Sequence, residues 1–360
     1  MKIGLVRRGY SRTGGAEAYL RRFAEAAIEA GHKCVLYTTP DWPATEWPGT
    51  IERLENAPGP KAFARQLRGA CAEYMCDVLF SLERVYACDV YRAGDGVHAA
   101  WLQRRADFEP RWKGWLRAFN GKHRELLELE DRLFRGGGTE HVIVNSKMVG
   151  DEIVQRFGYP AGRIHVVHNG VPPFIVPPEA REQTRRELGL RDEDFAVLFA
   201  GSGWERKGLR FAIEAMNAAR LPNATLLVAG RGNERGLPRS ERGRFLGPVK
   251  DMPRYLAAAD AFILPTLYDP FSNACLEALA AGLPVITTAH NGFAEIIEPG
   301  VAGEIVAQPD DIAALAAALE KWSDPARRAA IRPRLLALGA QFSIAENVRQ
   351  TLAIIETACA

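Results

Sequence analysis

Three observations predict an α/β protein made of two doubly wound parallel sheets. The chain has 360 residues, beyond the size at which one hydrophobic core stops growing, so two domains are expected. Short β-branched runs alternate with helical patterns in the first half, and the alternation starts again in the second. Between the halves lies GVPPFIVPPEA (170–180), whose four prolines suit neither a helix interior nor a central strand and so mark a linker.

The elements follow in order. KIGLVRR (2–8) reads as a strand. GGAEAYLRRFAEAAIEAGH (14–32) reads as a helix, with Tyr19, Leu20, Phe23, Ala27 and Ile28 on one face and a glycine at its end. KCVLYTT (33–39), DVLFSL (77–82), HVIVNS (141–146) and IHVVHNG (164–170) are further buried strands. After the linker, FAVLFAGS, ATLLVAG, AFILPT and PVITT are strands. GLRFAIEAMNAA, MPRYLAAAD and NACLEALAAG are the helices between them. More helices run from DDIAALAAALEKWS to the end. The expected domains are 1–172 and 173–340, with a final helix in 341–360 that packs back toward the first domain. In such sheets ligands bind beyond the carboxyl ends of the strands, so a ligand in the cleft between the domains would touch both.

Composition narrows the function. Apolar residues make up 47% and charged residues 25%, with a formal net charge of +2, which is ordinary for a globular protein and predicts no polyanion partner by itself. No nucleic-acid recognition module is present. The six cysteines (34, 71, 76, 88, 275, 359) are scattered, and Cys71 and Cys76 are not a CxxC pair. Reduced thiols and no metal site are expected. The N-terminus lacks the apolar run of a signal peptide and no window is long enough to span a bilayer, so a cytoplasmic protein is expected.

Two stretches carry chemistry. GSGWERKG (201–208) follows a strand and precedes a helix, and places Arg206 and Lys207 at the strand's carboxyl end. A forked guanidinium beside a point-charge ammonium suits a diphosphate, though the stretch also suits a solvated basic turn. DPFSNACLE (269–277) straddles the expected helix start near Ser272 or Asn273, where free amides favour an anion. At a rise of ~1.5 Å per residue, Asp269 and Glu277 sit on the order of 10 Å apart. A glycosidase that attacks by a carboxylate needs its pair at ~5–5.5 Å. The wider spacing fits two grips on one elongated ligand, such as a nucleotide sugar, or else a turn former and a solvated helix glutamate.

GSGWERKG together with DMPRYLAAADAFILPTLYDPFSNACLEALAAGLPVITTAHNGFAEII resembles the C-terminal half of the family 4 retaining glycosyltransferases of the GT-B fold, and GGAE (14–17) fits their N-terminal half. YRAGDGVHAAWL and the basic stretch after it resemble the lipopolysaccharide core glucosyltransferases more narrowly. The resemblance implies two Rossmann-like domains facing across a cleft, and a role for each matching residue. Gly14 and Gly15 approach the donor phosphates, as does Gly203. Arg206 and Lys207 hold the diphosphate. Asp269 binds donor-sugar hydroxyls, in place of the family's usual Glu. The backbone of Phe271, Ser272 and Asn273 contacts sugar and phosphate, and Glu277 binds the ribose. In the first domain His98 approaches the donor sugar, with Asp95 as the competing candidate. The implied activity is transfer of a hexose from a nucleotide diphosphate sugar, UDP-glucose or a related UDP-sugar, to a glycan or lipid-linked acceptor. No cofactor or metal is implied. A sugar-nucleotide 2-epimerase and a non-catalytic sugar-nucleotide or lipid-binding subunit are the alternative readings.

Residues 101–124, WLQRRADFEPRWKGWLRAFNGKHR, carry seven Lys or Arg against two acids, with Trp101, Phe108, Trp112, Trp115 and Phe119 interleaved. Such a segment suits an anionic membrane surface, with Trp112, Trp115, Leu116 and Phe119 on one helical face. Packing on the domain with solvated cations is the other reading.

Overall fold

A computed structural model describes residues 1–11, 15–55, 57–74, 76–110 and 120–359, with backbone alone for 71–74. Chain contacts divide it into two units: Met1–His168 with Ala345–Ala360, and Asn169–Ile344.

The first unit holds a parallel seven-stranded sheet. Its strands are β1 (Lys2–Val6), β2 (Lys33–Thr38), β3 (Thr50–Arg53), β4 (Val78–Ser81), β5 (Cys88–Arg92), β6 (Thr139–Val144) and β7 (Ile164–Val166), in the order β3-β2-β1-β4-β5-β6-β7. The strand order reverses between β1 and β4, so a crevice opens beyond their carboxyl ends. The final helix, Ile344–Ala358, belongs to this unit from Ala345 on. It is tied in by Tyr19 to Thr351 (3.2 Å), His32 to Glu356 (3.1 Å) and Asn347 to the His168 carbonyl (2.5 Å).

The second unit repeats the plan with six parallel strands: β8 (Phe195–Ala200), β9 (Ala224–Ala229), β10 (Gly243–Gly247), β11 (Ala261–Leu264), β12 (Val285–Thr288) and β13 (Gly303–Val306). Their order, β10-β9-β8-β11-β12-β13, reverses between β8 and β11. β8 and β11 are buried along their whole length, as strands covered by helices on both faces must be.

The structure corrects several sequence expectations. The units part between His168 and Asn169, not at 172/173, so the proline-rich segment lies wholly inside the second unit. There Val171 donates to the Phe342 carbonyl (3.0 Å). The return crossing is at 344/345 rather than 340/341. Strands β3, β5, β10 and β13 are additional. Three of them are sheet edges with polar, half-buried sequences. The fourth, β5, is central but carries Asp89, which accepts from the Leu79 amide (2.6 Å), and Arg92, which stacks on Tyr19 (4.4 Å to the ring centroid). The stretch after β8 forms two helices, Trp204–Lys207 and Leu209–Ala218, rather than one.

Candidate active site

The crevice of the second unit gathers most of the residues singled out above. β8 ends at Ala200, and Gly203, with φ 73°, starts the four-residue helix Trp204–Lys207. Gly208 ends it with φ 75°; a Cβ there would lie 1.9 Å from the Pro265 carbonyl oxygen, so only glycine lets this turn press against the end of β11. Two bonds hold the contact: the Arg206 carbonyl accepts from the Leu267 amide (2.9 Å) and the Thr266 hydroxyl (2.8 Å). Lys207 thereby reaches across the switch point and pairs with Asp269. Both side chains are largely buried, at 13% and 6% exposure, so this pair is screened far less than a surface one. Arg206 is half-buried and donates to the Tyr268 carbonyl (3.4 Å).

Asp269 is fixed at its backbone. Its amide donates to the His290 carbonyl and its carbonyl accepts from the Gly292 amide, both at 2.9 Å. Helix Asn273–Ala280 begins where the sequence placed it, with Ser272 as N-cap accepting from the Cys275 amide (3.4 Å). The Ser272 amide, expected to face the donor, is instead taken by the Asn291 side-chain oxygen (3.2 Å). Asn291 also accepts from the Phe293 amide (3.2 Å) and donates to Thr287 (2.9 Å), which locks the turn to β12. Phe271 is buried edge-on against Phe293. Asn273 is exposed, and its side-chain oxygen accepts from Asn169 (2.8 Å). Glu277 lies one turn into the helix, half-buried, without a hydrogen-bonding or ion-pair partner among the described residues. Burial raises its carboxyl pKa above the usual range.

The crevice of the first unit is built differently. Arg7, just after β1, bonds Glu17 (3.1 Å) and Glu83 (2.9 Å). Burial pushes the Glu83 carboxyl up, against the pull of Arg7. β5 leads into the turn 94–98, which presents exposed Asp95 and half-buried His98. This turn is held from below. Glu130, fully buried on helix Gly121–Phe134, accepts from the amides of His98 (2.5 Å) and Ala99 (3.1 Å) at the start of helix His98–Asp107. Arg84 donates to Glu130 (2.9 Å) and to the Gly96 carbonyl (2.7 Å). His98 Nε2 lies 3.0 Å from His123 Nδ1. Burial, then the Arg84 charge, lowers the His98 pKa to about 4, so its imidazole is neutral at pH 7.

Gly14 lies outside the described residues, as do Trp112, Trp115, Leu116 and Phe119 of the basic aromatic face. Gly15 starts helix Gly15–Glu29 at an exposed position, with no atom within 4 Å of where a Cβ would stand. Trp101 and Phe108 are half-buried, and Arg105 bonds Glu109 (2.7 Å) and lies 5.8 Å from the Trp101 ring. Sequence reasoning missed Arg7, Glu17, Glu83, Arg84, His123, Glu130, Asn169 and Asn291. Glu17 stood in the GGAE stretch and Asn291 directly after TTAH, but their partners lie far off in the chain.

Among the described residues no group of three or more His, Cys, Asp or Glu is placed to hold a metal. No helix among them is long and apolar enough to cross a membrane.

Comparison with known proteins follows this division. The model of glycosyl transferases group 1 matches residues 194–324, and that of Glycosyltransferase Family 4 matches residues 13–173. Uncharacterized glycosyltransferase MJ1607 of Methanocaldococcus jannaschii is 32% identical over 189 residues, 48% of each chain, so this chain matches about half of that relative's length. Lipopolysaccharide glucosyltransferase WaaG of Escherichia coli is 25% identical over 324 residues, 82% of each chain. Among solved structures, WaaG aligns over 98% of this chain and 99% of its own, with TM-score 0.80 and 22% identity. Anabaena HepE, in complex with UDP and glucose, aligns over 99% of both chains, with TM-score 0.75 and 19% identity.

Proposed function

The chain belongs to the family 4 glycosyltransferases of the GT-B fold, and from that premise we propose that it is a retaining hexosyltransferase. The donor is a UDP-sugar, UDP-glucose or a close relative. The acceptor is a glycan or lipid-linked glycan of the lipopolysaccharide-core kind, which would place the enzyme in the cytoplasm at the inner face of the membrane. The similarity to WaaG and to HepE, whose structure holds UDP and glucose, supports both choices.

The observation that carries the reading is the buried Lys207–Asp269 pair at the switch point of the second unit. Beside it are the start of helix Asn273–Ala280 and the unpartnered Glu277. Breaking the anomeric carbon–oxygen bond builds negative charge on the leaving diphosphate. Lys207, Arg206 and the helix start stabilise that charge more in the transition state than in the ground state. An incoming diphosphate competes with Asp269 for the Lys207 ammonium. Asp269, released, accepts hydroxyls of the donor sugar, and Glu277 accepts those of the ribose. These fixed cations and amides take the place of a metal. In the first unit, Asp95 and neutral His98 are the groups offered to the acceptor. The leaving phosphate takes the acceptor proton as attack comes from the same face.

The test is transfer from a panel of UDP- and GDP-sugars to a core-type acceptor, with the product's anomeric configuration read by NMR. Retention with a UDP-hexose supports the proposal. Inversion, or donor turnover that needs no acceptor and releases no transferred sugar, overturns it.

A further inference from the structure

The amino-terminal ends of the first unit's strands carry a second concave site, at the pole of that sheet opposite Arg7, Asp95 and His98. A cavity of about 570 Å³ is lined by Arg65, Arg68, Tyr86, Arg132 and the backbone of Gly136–Gly138. It shares Arg68, Gly137 and Gly138 with a neighbouring hollow of about 400 Å³, which reaches Leu79, Cys88 and Thr139 near the starts of β4, β5 and β6.

Arg65 and Arg68 project from helix Pro60–Tyr74 and Arg132 from helix Gly121–Phe134. Among the described residues none of the three guanidiniums has a hydrogen-bonding, ion-pair or ring partner. The acid on the same wall, Glu128, is engaged by Lys61 (2.8 Å). The arginines at a cavity of the second unit differ. Arg181 spends its donors on Asp260 and on the carbonyls that end helix Met252–Ala258. Arg328 spends its own on the Trp322 and Ser323 carbonyls. The cations of the first unit's cavity are therefore open to a ligand.

Three planar forks around one hollow match the several oxygens of a phosphate better than the two of a carboxylate. The three arginines are exposed, so their joint positive field is screened by salt and strongest at low ionic strength. The glycine run keeps the floor bare. At Gly138 a Cβ would stand 2.5 Å from the Tyr86 carbonyl oxygen, so no larger residue fits.

We propose that this cavity binds a phosphate group, carried by a soluble phosphate or by a lipid headgroup, independently of the sugar donor. The experiment uses the full chain. Inorganic pyrophosphate is titrated calorimetrically into the wild type, into Lys207→Ala, and into a double variant, Arg68→Ala with Arg132→Ala. Phosphatidylglycerol vesicles are sedimented with the same proteins at low salt. The expected result is pyrophosphate binding that survives Lys207→Ala and weakens about tenfold per guanidinium removed. The double variant keeps the wild-type melting temperature without ligand and its transfer rate, because neither arginine has a protein partner or a part in transfer. Vesicle binding lost in the double variant identifies the phosphate as a headgroup. Pyrophosphate binding without any vesicle binding identifies a soluble ligand. Equal behaviour of the wild type and the double variant toward both probes overturns the proposal.

Discussion

The two units share one strand order and one kind of switch-point crevice, yet fill it in opposite ways. In the first, the buried or half-buried arginines Arg7 and Arg84 are answered from within. Arg7 sits between two carboxylates, and the helix start at His98 is already capped by the buried Glu130. In the second, one lysine faces one carboxylate. The helix start is capped only by the neutral Ser272, and the Glu277 carboxyl has no hydrogen-bonding or ion-pair partner among the described residues. The same fold thus makes a satisfied scaffold in one copy and a set of groups awaiting a charged ligand in the other. A helix start does not by itself make an anion site; what stands in front of it decides.

Removing Lys207 is the strongest way to break that contrast. Lys207→Ala takes away the cation aimed at the leaving diphosphate and leaves buried Asp269 alone. Turnover is expected to fall by about 10²–10³-fold, the range for losing one preorganised electrostatic group. Steady-state transfer with the preferred UDP-sugar measures it, and a change under about threefold would remove Lys207 from the mechanism. The mirror experiment is Glu130→Gln in the first unit. It strands buried Arg84 without its counter-charge, which costs about 3–5 kcal/mol and lowers the melting temperature by roughly 10 °C. If its melting curve matches the wild type, the first crevice is not the internally balanced scaffold described above.

The second crevice was far more legible in the sequence than the first, for a physical reason. Its groups lie on two short contiguous stretches, 201–208 and 269–277, each directly after a buried strand. Chain order alone delivers them to the carboxyl edge. The first crevice depends on pairs far apart in the chain, such as Arg7 with Glu83 and Arg84 with Glu130. No spacing rule reveals which carboxylate will meet which guanidinium across helices. Asn291 was hidden for the same reason, since its role is to join a turn and a strand end 19 residues apart. Strand detection failed where burial is one-sided. The edge strands β3, β10 and β13 have no apolar run to read, and central β5 hides behind Asp89 and Arg92.

Glu277→Gln sharpens the comparison more gently. The carboxyl's folded pKa is raised, so the folded state favours its protonated form. The stabilising contribution is full below the unfolded value near 4.5 and is lost as pH rises through the folded one. At pH 7 the glutamine variant is therefore expected to be at least as stable as the wild type, while KM for the donor rises about tenfold through the lost ribose contact. Paired melting curves and donor saturation curves separate the two effects. A stability loss beyond about 1 kcal/mol would mean that Glu277 is answered within the protein after all.

The smallest expected effect concerns His98, whose folded pKa lies at about 4. Burial and Arg84 disfavour its protonated form, so it folds neutral. A depressed folded pKa contributes stability that is present above about 6.5 and is lost as pH falls from there to about 4. The wild type is expected to lose melting temperature across that window, and His98→Asn to lose less. The difference between the two curves isolates this residue from Glu83 and the other buried carboxylates, which titrate in both proteins. If the curves run parallel from pH 7 to pH 4, His98 is solvated in the folded state. The turn that presents it would then be less tightly held than Glu130 and Arg84 require.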